Sequence, residues 1–111
     1  MLQLRSPSLQ IKQAAFAATA ATVAKTPFIQ NAHVFIPINS ADAAEQSNHV
    51  YESEVSDAPK TAAEAWAVGD VIKFDGTAGE FNKTTGTACG FALAPALAAA
   101  VVSPLFLFKS F

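Results

Sequence analysis

Few residues of this 111-residue chain could perform chemistry. Cys89 is the only cysteine, and His33 and His49 are the only histidines, so a thiol nucleophile activated by an imidazole would need these residues. Cys89 falls on the apolar, core-facing side of a predicted strand, where burial raises the pKa of a thiol and makes it inert. The sequence therefore argues against a catalytic cysteine.

The middle of the chain carries a second candidate group, the carboxylates Glu45, Glu52, Glu54 and Asp57. Glu52 and Glu54 share one face of a predicted strand, and acids on a solvent-facing strand are usually hydrated or paired with a nearby lysine. Neither histidine has a zinc-type ligand pattern beside it, and the chain contains no phosphate-binding loop. We therefore predict a protein that is not an enzyme and holds no metal or cofactor.

The composition points to a protein that binds other proteins. Charged residues make up 14% of the chain and hydrophobic residues 51%, which leaves few charges to cover the surface of a free monomer. The net charge of −2 disfavours nucleic-acid binding, which needs a surplus of lysine and arginine. The longest uncharged stretch near the N-terminus, residues 13–24, is too short to span a bilayer.

The chain is short enough for one domain, which we divide into an N-terminal arm over residues 1–27 and a β-rich domain over residues 28–111. The arm is basic and lacks acids, whereas the stretch from Asp42 to Glu64 holds six acids and one lysine. Residues 13–24 could form a short alanine-rich helix or lie extended against a surface.

Short strands separated by turn residues are predicted from Phe28 onward, and "HVFIPIN" ends or edges the sheet at Pro37. In "HVYESEV" the alternation predicts a strand with one solvent-facing side. In "GDVIKFD", Ile72 and Phe74 share the buried face. Asp75-Gly76 then signals a turn, which indicates a hairpin.

Two further strands are predicted near the C-terminus. In "TACGFALAPA" the larger residues Cys89, Phe91 and Leu93 are expected to face the core, opposite small residues. The final "VVSPLFLFKSF" has apolar residues on both faces, which is typical of a strand covered on both sides, with another subunit as the second cover. The predicted fold is mainly β, a single small β-barrel or sandwich-like domain with an extended arm.

The segment 58–96, "APKTAAEAWAVGDVIKFDGTAGEFNKTTGTACGFALAPA", resembles small tailed-phage capsid cement, or decoration, proteins. The resemblance begins with Pro-Lys before an alanine-rich stretch and continues with Gly-Asp, an aromatic-containing strand, a turn and a threonine-rich strand. A Gly-aliphatic-Ala segment follows. The motif residues here are Trp66, Gly69, Asp70, Phe74, Gly76, Gly90 and Phe91, together with Pro59, Lys60, Asp75, Thr84, Thr85, Gly86 and Ala92.

The resemblance implies a structural virion protein, often a homotrimer, on the outer surface of an icosahedral head, where it bridges neighbouring major capsid proteins. The chain departs from the family in its longer basic arm and its phenylalanine-rich end, so we expect these two elements to contact the capsid or another subunit. The expected contact residues are Arg5, Lys12, Phe16, Lys25, Leu105, Phe106, Phe108 and Phe111.

Two other interpretations remain open from the sequence. The chain could be a small β-barrel binding module, such as a head-fibre or adhesion subunit, that recognises a peptide or a sugar. Exposed aromatic residues grouped around one concave patch would favour it. The enzymatic interpretation depends only on Cys89 and the two histidines, and rapid selective labelling of the native thiol would support it.

Overall fold

The computed structural model describes residues 2–5 and 11–110, and this part of the chain contains β-strands and no helix. It therefore contains no helix that could cross a membrane. The strands are β1 (Gln3–Arg5), β2 (Lys12–Ala17), β3 (Phe28–Gln30), β4 (His33–Pro37), β5 (Gln46–Ser56), β6 (Val71–Asp75), β7 (Glu80–Asn82), β8 (Thr87–Ala92) and β9 (Phe106–Lys109). The prediction of a mainly β fold is confirmed.

The 11-residue strand β5 is the centre of the sheet, because it pairs along both of its edges. β2 and β1 lie antiparallel along one edge, in a register that places Ala17 opposite Gln46 and Gln3 opposite Ser56. β4 and β9 share the other edge, since Val50 is opposite Ile36 and Val55 is opposite Phe106. Two segments of the predicted arm are thus strands of the sheet, and residues 12–17 are extended rather than helical.

The pairing order β3-β4-β5-β9-β8-β6-β7 curls into a half-barrel. The predicted hairpin is confirmed: β6 and β7 are antiparallel, with turn residues 76–79 between them. The positive φ of this turn is at Gly79 and not at Gly76. A Cβ on Gly76 would lie 3.2 Å from Cδ1 of Ile29 on β3, so the two ends of the curled sheet approach each other here.

Aromatic rings fill one half of the core. Phe74 packs against Phe81, and Phe81 against Phe106, with ring centroids 5.0 Å apart in both pairs. Trp66 meets Phe106 edge to face at 6.0 Å. Such pairs contribute somewhat more than their buried area alone. Burial of Ile72 and Phe74 agrees with the predicted inward face of β6.

A β-bulge between β6 and β8 changes which residues of β8 face the core. Ile72 is opposite Gly90, whereas Lys73 is opposite Ala88, so Cys89 is an extra residue on the β8 side. Cys89 and Ala92 are consequently buried and Phe91 is exposed. The prediction that Phe91 faces the core is wrong, because one extra residue reverses the alternation of a strand.

The predicted solvent-facing side of β5 is also wrong for Glu54, which is buried. Glu54 lies opposite Leu107 on one neighbouring strand and opposite Arg5 on the other. Neighbours on both edges leave little of this side chain open to solvent. Pro37, in contrast, is the last residue of β4, as its lack of an amide hydrogen predicts.

The bulge requires a residue without a side chain at Gly90. Its φ is +146°, and a Cβ there would lie 1.8 Å from the carbonyl oxygen of Leu107. We expect Gly90→Ala to lower the free energy of unfolding by about 3 kcal/mol or more, because the backbone of β9 would have to move. Urea unfolding measures this change.

The matched control is Gly79→Ala, at a position with φ +71° and no atom within 4 Å of the added Cβ. It isolates the conformational cost and should destabilise by only about 1 kcal/mol. Equal losses in the two variants would contradict the close approach of β8 and β9 at Gly90.

Candidate functional site

Cys89, His33 and His49, the residues of a possible thiol site, lie in different environments. Cys89 is fully buried, and burial raises the pKa of its thiol to about 12. His33 is exposed at the start of β4, whereas His49 on β5 is fully buried. The ring of His49 is occupied by other contacts, since Nε2 lies 3.2 Å from Oγ of Ser47 and 3.3 Å from the carbonyl oxygen of Phe16. The interpretation of Cys89 as an inert core residue therefore agrees with its burial.

An aromatic cluster of Phe16, Phe28 and Phe35 surrounds His49. The imidazole is 4.3 Å from the ring centroid of Phe16 and 5.2 Å from that of Phe28, and Phe16 meets Phe35 at 4.8 Å. The cluster joins β2, β3, β4 and β5. Beside it lies an open pocket of about 270 Å³, lined by Phe16, Phe35, Ala17, Gln30, Asn31 and His33.

The acids of the candidate group differ in burial and in partners. Glu52 pairs with Lys12 at 3.7 Å across β5 and β2, and Glu54 is buried two residues further on. Glu45 caps its own turn by accepting a hydrogen bond from the amide of Asp42. Within residues 2–5 and 11–110, no group of three or more His, Cys, Asp and Glu side chains could hold a metal ion.

The motif around Trp66 shapes the chain before β6. The backbone of Trp66 exchanges two 3.0 Å hydrogen bonds with Ala96. Gly69, at φ +91°, donates its amide to the carbonyl of Ala92. Asp70 Oδ2 accepts a hydrogen bond from the amide of Ala67 at 2.7 Å and a second from Lys83 Nζ at 3.1 Å. These contacts fix the turn before β6.

Lys60 is the one motif residue whose environment is unusual, because its long cationic side chain is only 1% exposed. Its ammonium donates to the carbonyl oxygens of Thr61 at 3.0 Å and Ala100 at 3.2 Å, and it lies 5.7 Å from the ring centroid of Trp66. Backbone oxygens and an aromatic face stabilise a buried cation without a carboxylate. Lys60 thereby joins the chain after β5 to the chain before β9.

The predicted contact residues lie in different parts of the fold. Lys12 is exposed, Lys25 and Leu105 are half-buried, and Phe16 belongs to the aromatic cluster around His49. Phe106 and Phe108 are fully buried, so the core holds the two side chains that were expected at a subunit interface. The alternation of β9 turns its odd-numbered residues outward instead. Arg5 pairs through its backbone with Glu54, and Phe111 lies outside the described residues.

The outer face of the sheet carries an apolar stripe that sequence reasoning missed. Val71, Phe91 and Leu107 are direct partners across β6, β8 and β9, and partners in antiparallel strands share a face. Val71 and Phe91 are exposed, and Leu107 is half-buried. We call these three residues the outer stripe. The bulge at Cys89 creates it, and only the glycine at position 90 hinted at a bulge in the sequence.

A second apolar surface lies on the loop between β8 and β9, where Leu97, Val101 and Val102 are exposed. A pocket of about 370 Å³ adjoins it. Val101 and Val102 line this pocket together with residues from the chain before β3 and after β5: Leu2, Ala24, Lys25, Thr26, Pro27, Asp57, Pro59 and Gly79.

These features define a small β-sheet protein whose described residues offer surfaces for contact rather than a cluster of reactive groups. The chain belongs to the phage cement protein family, whose model matches residues 8–106. The resemblance found in residues 58–96 is thereby confirmed, and it extends over nearly the whole chain. Membership gives the protein a structural role in a phage. Neither the curated proteins nor the solved structures gave a match.

Labelling of the thiol tests the interpretation of Cys89. Because burial raises its pKa to about 12, little thiolate is present at neutral pH. We expect Ellman's reagent to react with the native protein at least ~100-fold more slowly than with the protein in denaturant. Labelling at similar rates in both states would restore the enzymatic interpretation.

Asp70 should make stability depend on pH. The hydrogen bond from Ala67 and the contact with Lys83 lower the pKa of Asp70 below its ordinary value of 3.8. A lowered folded-state pKa stabilises the fold above the unfolded pKa, and this contribution is lost as the pH falls through the folded pKa. Asp70→Asn should therefore be less stable than wild type at pH 7, with a difference that shrinks below pH 3.8.

Urea unfolding of both proteins across this pH range measures the effect. Asp42→Asn, at an exposed carboxylate, is the control and should stay close to wild type throughout. If the free energy of unfolding of Asp70→Asn lies below that of wild type by the same amount at every pH, the charge of Asp70 does not stabilise the turn.

Proposed function

We propose that this protein binds the outer surface of a tailed-phage capsid, contacts the major capsid protein and links neighbouring subunits as a homotrimer. The observation that carries the proposal is membership of the phage cement protein family over residues 8–106. The role is structural and needs neither catalysis nor a cofactor.

The distribution of charge supports a contact role for the C-terminal quarter of the chain. No Asp, Glu, Lys or Arg occurs between Lys83 and Lys109. This stretch forms β8, the following loop and most of β9, and it supplies Phe91 and Leu107 to the outer stripe. An exposed apolar surface without charges is typical of a protein-binding surface.

We assign the outer stripe as the apolar part of the capsid contact. Phe91 is the large aromatic side chain at its centre, flanked by Val71 and Leu107, and aromatic anchors often dominate binding energy. Leu105, from the expected contact set, is half-buried two residues from Leu107. The exposed Lys12 supplies a positive charge on β2, which an acidic group of the capsid surface would attract.

The protein would stabilise the capsid through thermodynamic linkage between its binding and capsid assembly. A protein that binds the assembled lattice and not its dissociated subunits stabilises the lattice by its free energy of binding. Many copies add their contributions, and a trimer that contacts several capsid subunits at once gains further from its high effective concentration. A stable sheet with a fixed outer face suits this role, because little conformational entropy is lost on binding.

One observation favours a second candidate, recognition of a sugar or peptide by a small β-module. The 270 Å³ pocket beside β2 brings Phe16 and Phe35 together with the polar side chains of Gln30, Asn31 and His33. Aromatic faces with nearby amides are suited to polar ring-shaped ligands. The family match ranks this candidate second.

Sedimentation with capsids tests the proposal. Capsids of the encoding phage, prepared without this protein, are mixed with purified chain and pelleted, and the bound fraction is measured against concentration. We expect wild type to saturate. Phe91→Asp should raise the half-saturation concentration about tenfold or more, because a charge replaces a buried aromatic contact.

Ile29→Asp is the matched control. Ile29 and Phe91 are both 39% exposed, but Ile29 lies on β3 against the β6–β7 turn at Gly76, outside the outer stripe. It should saturate capsids as wild type does, and thermal unfolding checks that both variants fold. Failure of wild type to bind capsids would overturn the proposal. Binding to host-surface polysaccharide instead would favour the second candidate.

A further inference from the structure

The loop between β8 and β9 displays its apolar side chains in an unusual way. Leu97 is 80% exposed, Val101 62% and Val102 51%, so three aliphatic side chains face solvent within six residues. Exposed aliphatic groups of this kind are costly in water unless a partner covers them. We call Leu97 and its surroundings, residues 96–100, the Leu97 knob.

The knob is held in place rather than left flexible. At its start, Ala96 exchanges two backbone hydrogen bonds with Trp66, and the amide of Ala100 donates to the carbonyl of Leu97 at 3.1 Å. At its end, the carbonyl of Ala100 accepts a hydrogen bond from the buried Lys60 ammonium at 3.2 Å. Fixing an apolar loop before binding reduces the entropy that is lost when a partner covers it.

Hydrogen bonds also hold the residues that follow the knob. The amide of Lys60 donates to the carbonyl of Val101, and Ser103 exchanges hydrogen bonds with Asp57 and Ala58. These bonds hold Val101 and Val102 as one wall of the 370 Å³ pocket. The knob and the pocket wall therefore follow one another directly in a hydrogen-bonded segment of the chain.

The pocket is suited to an aliphatic side chain. Leu2 and Pro27 are buried and form part of its lining together with Val101 and Val102, and its volume leaves ample room for a leucine. Its charged lining residues are Lys25 and Asp57, which have opposite signs and add no net charge. A neutral, largely apolar pocket binds an apolar group in preference to a charged one.

We propose that the pocket of one copy of this chain receives the Leu97 knob of a second copy. When the knob of one copy enters the pocket of the next without the reverse insertion, the contact is heterologous and repeats from one copy to the next. Such a contact closes into a ring when its rotation allows. The inference builds on the proposed homotrimer and gives it a specific interface.

The second copy is the occupant that the chain itself argues for. It carries both complementary parts, a protruding leucine and an apolar pocket, at adjacent places in the fold. The knob belongs to the stretch without charges between Lys83 and Lys109, so two copies meet here without placing like charges together. The outer stripe stays free for the capsid, because it lies on β6, β8 and β9 rather than on this loop.

Light scattering after size-exclusion chromatography tests the oligomeric state of the full chain. We expect the mass of wild type to rise with concentration above that of a monomer. Leu97→Asp should weaken this association at least about tenfold, because it removes one buried aliphatic side chain and adds a charge. Ala15→Asp is the control, since Ala15 is exposed on β2 opposite Asn48, near the start of β5, whereas the pocket is lined by Asp57 and Pro59 after the end of β5.

Cross-linking tests the specific contact. Leu97→Cys and Thr26→Cys place thiols on the knob and at the pocket, and the native Cys89 is buried and gives little background. A short bis-maleimide should link the two variants when they are mixed, more than it links either variant alone. A mixture of Ala15→Cys with Thr26→Cys should give no such excess.

The outcomes separate this inference from the proposed function. A wild-type chain that stays monomeric at every concentration, or a Leu97→Asp variant with the wild-type mass, overturns the knob contact. Capsid sedimentation is measured independently. Oligomers that depend on Leu97 but do not bind capsids would support the contact and overturn the capsid role, and monomers that decorate capsids would do the reverse.

Discussion

The fold depends on β5 having partner strands on both edges over the stretch from His49 to Val55. β1 and β2 occupy one edge, and β4 and β9 occupy the other, so this strand joins the first, middle and last parts of the chain. A backbone paired on both sides leaves few amides and carbonyls to water, and residues on both of its faces become shielded. This explains why Ser53, Glu54 and Val55 are all buried.

Two local features, the bulge at Cys89 and the buried Lys60, then determine which residues face the interior and which form contact surfaces. The bulge at Cys89 turns Phe91 outward, while Gly90 lets β8 pass close to the backbone of β9. Lys60 fixes the long loop before β9 through the carbonyl of Ala100. Burying an isolated cation would be costly, but backbone carbonyl oxygens and the ring of Trp66 stabilise the buried ammonium of Lys60. The loop that Lys60 holds keeps its aliphatic side chains at the surface. In this phage cement protein, both features place apolar side chains at the surface of the sheet domain.

Much of the fold could be predicted from local patterns. Alternation gave the buried face of β6, the Asp-Gly pair marked its turn, and Pro37 marked the end of β4, because each of these signals acts within a few residues. The motif from Pro59 to Ala92 identified the family. The inert character of Cys89 followed from its apolar surroundings. Of the expected contact residues, Lys12 is exposed as its charge predicts, whereas β9 is apolar on both faces and its pattern does not show that Phe106 and Phe108 are the side that meets the core.

The sequence by itself determined the strand-forming segments, their turns, the shortage of surface charge and the family. The tertiary structure alone decided how the faces of those strands were used. A single extra residue at the bulge reversed the orientation of Phe91, and pairing along both edges of β5 buried Glu54 and drew residues 12–17 into the sheet. Strand alternation fixes only which residues share a face. Which face becomes the core depends on partners that are distant in the chain, and local patterns carry no information about them.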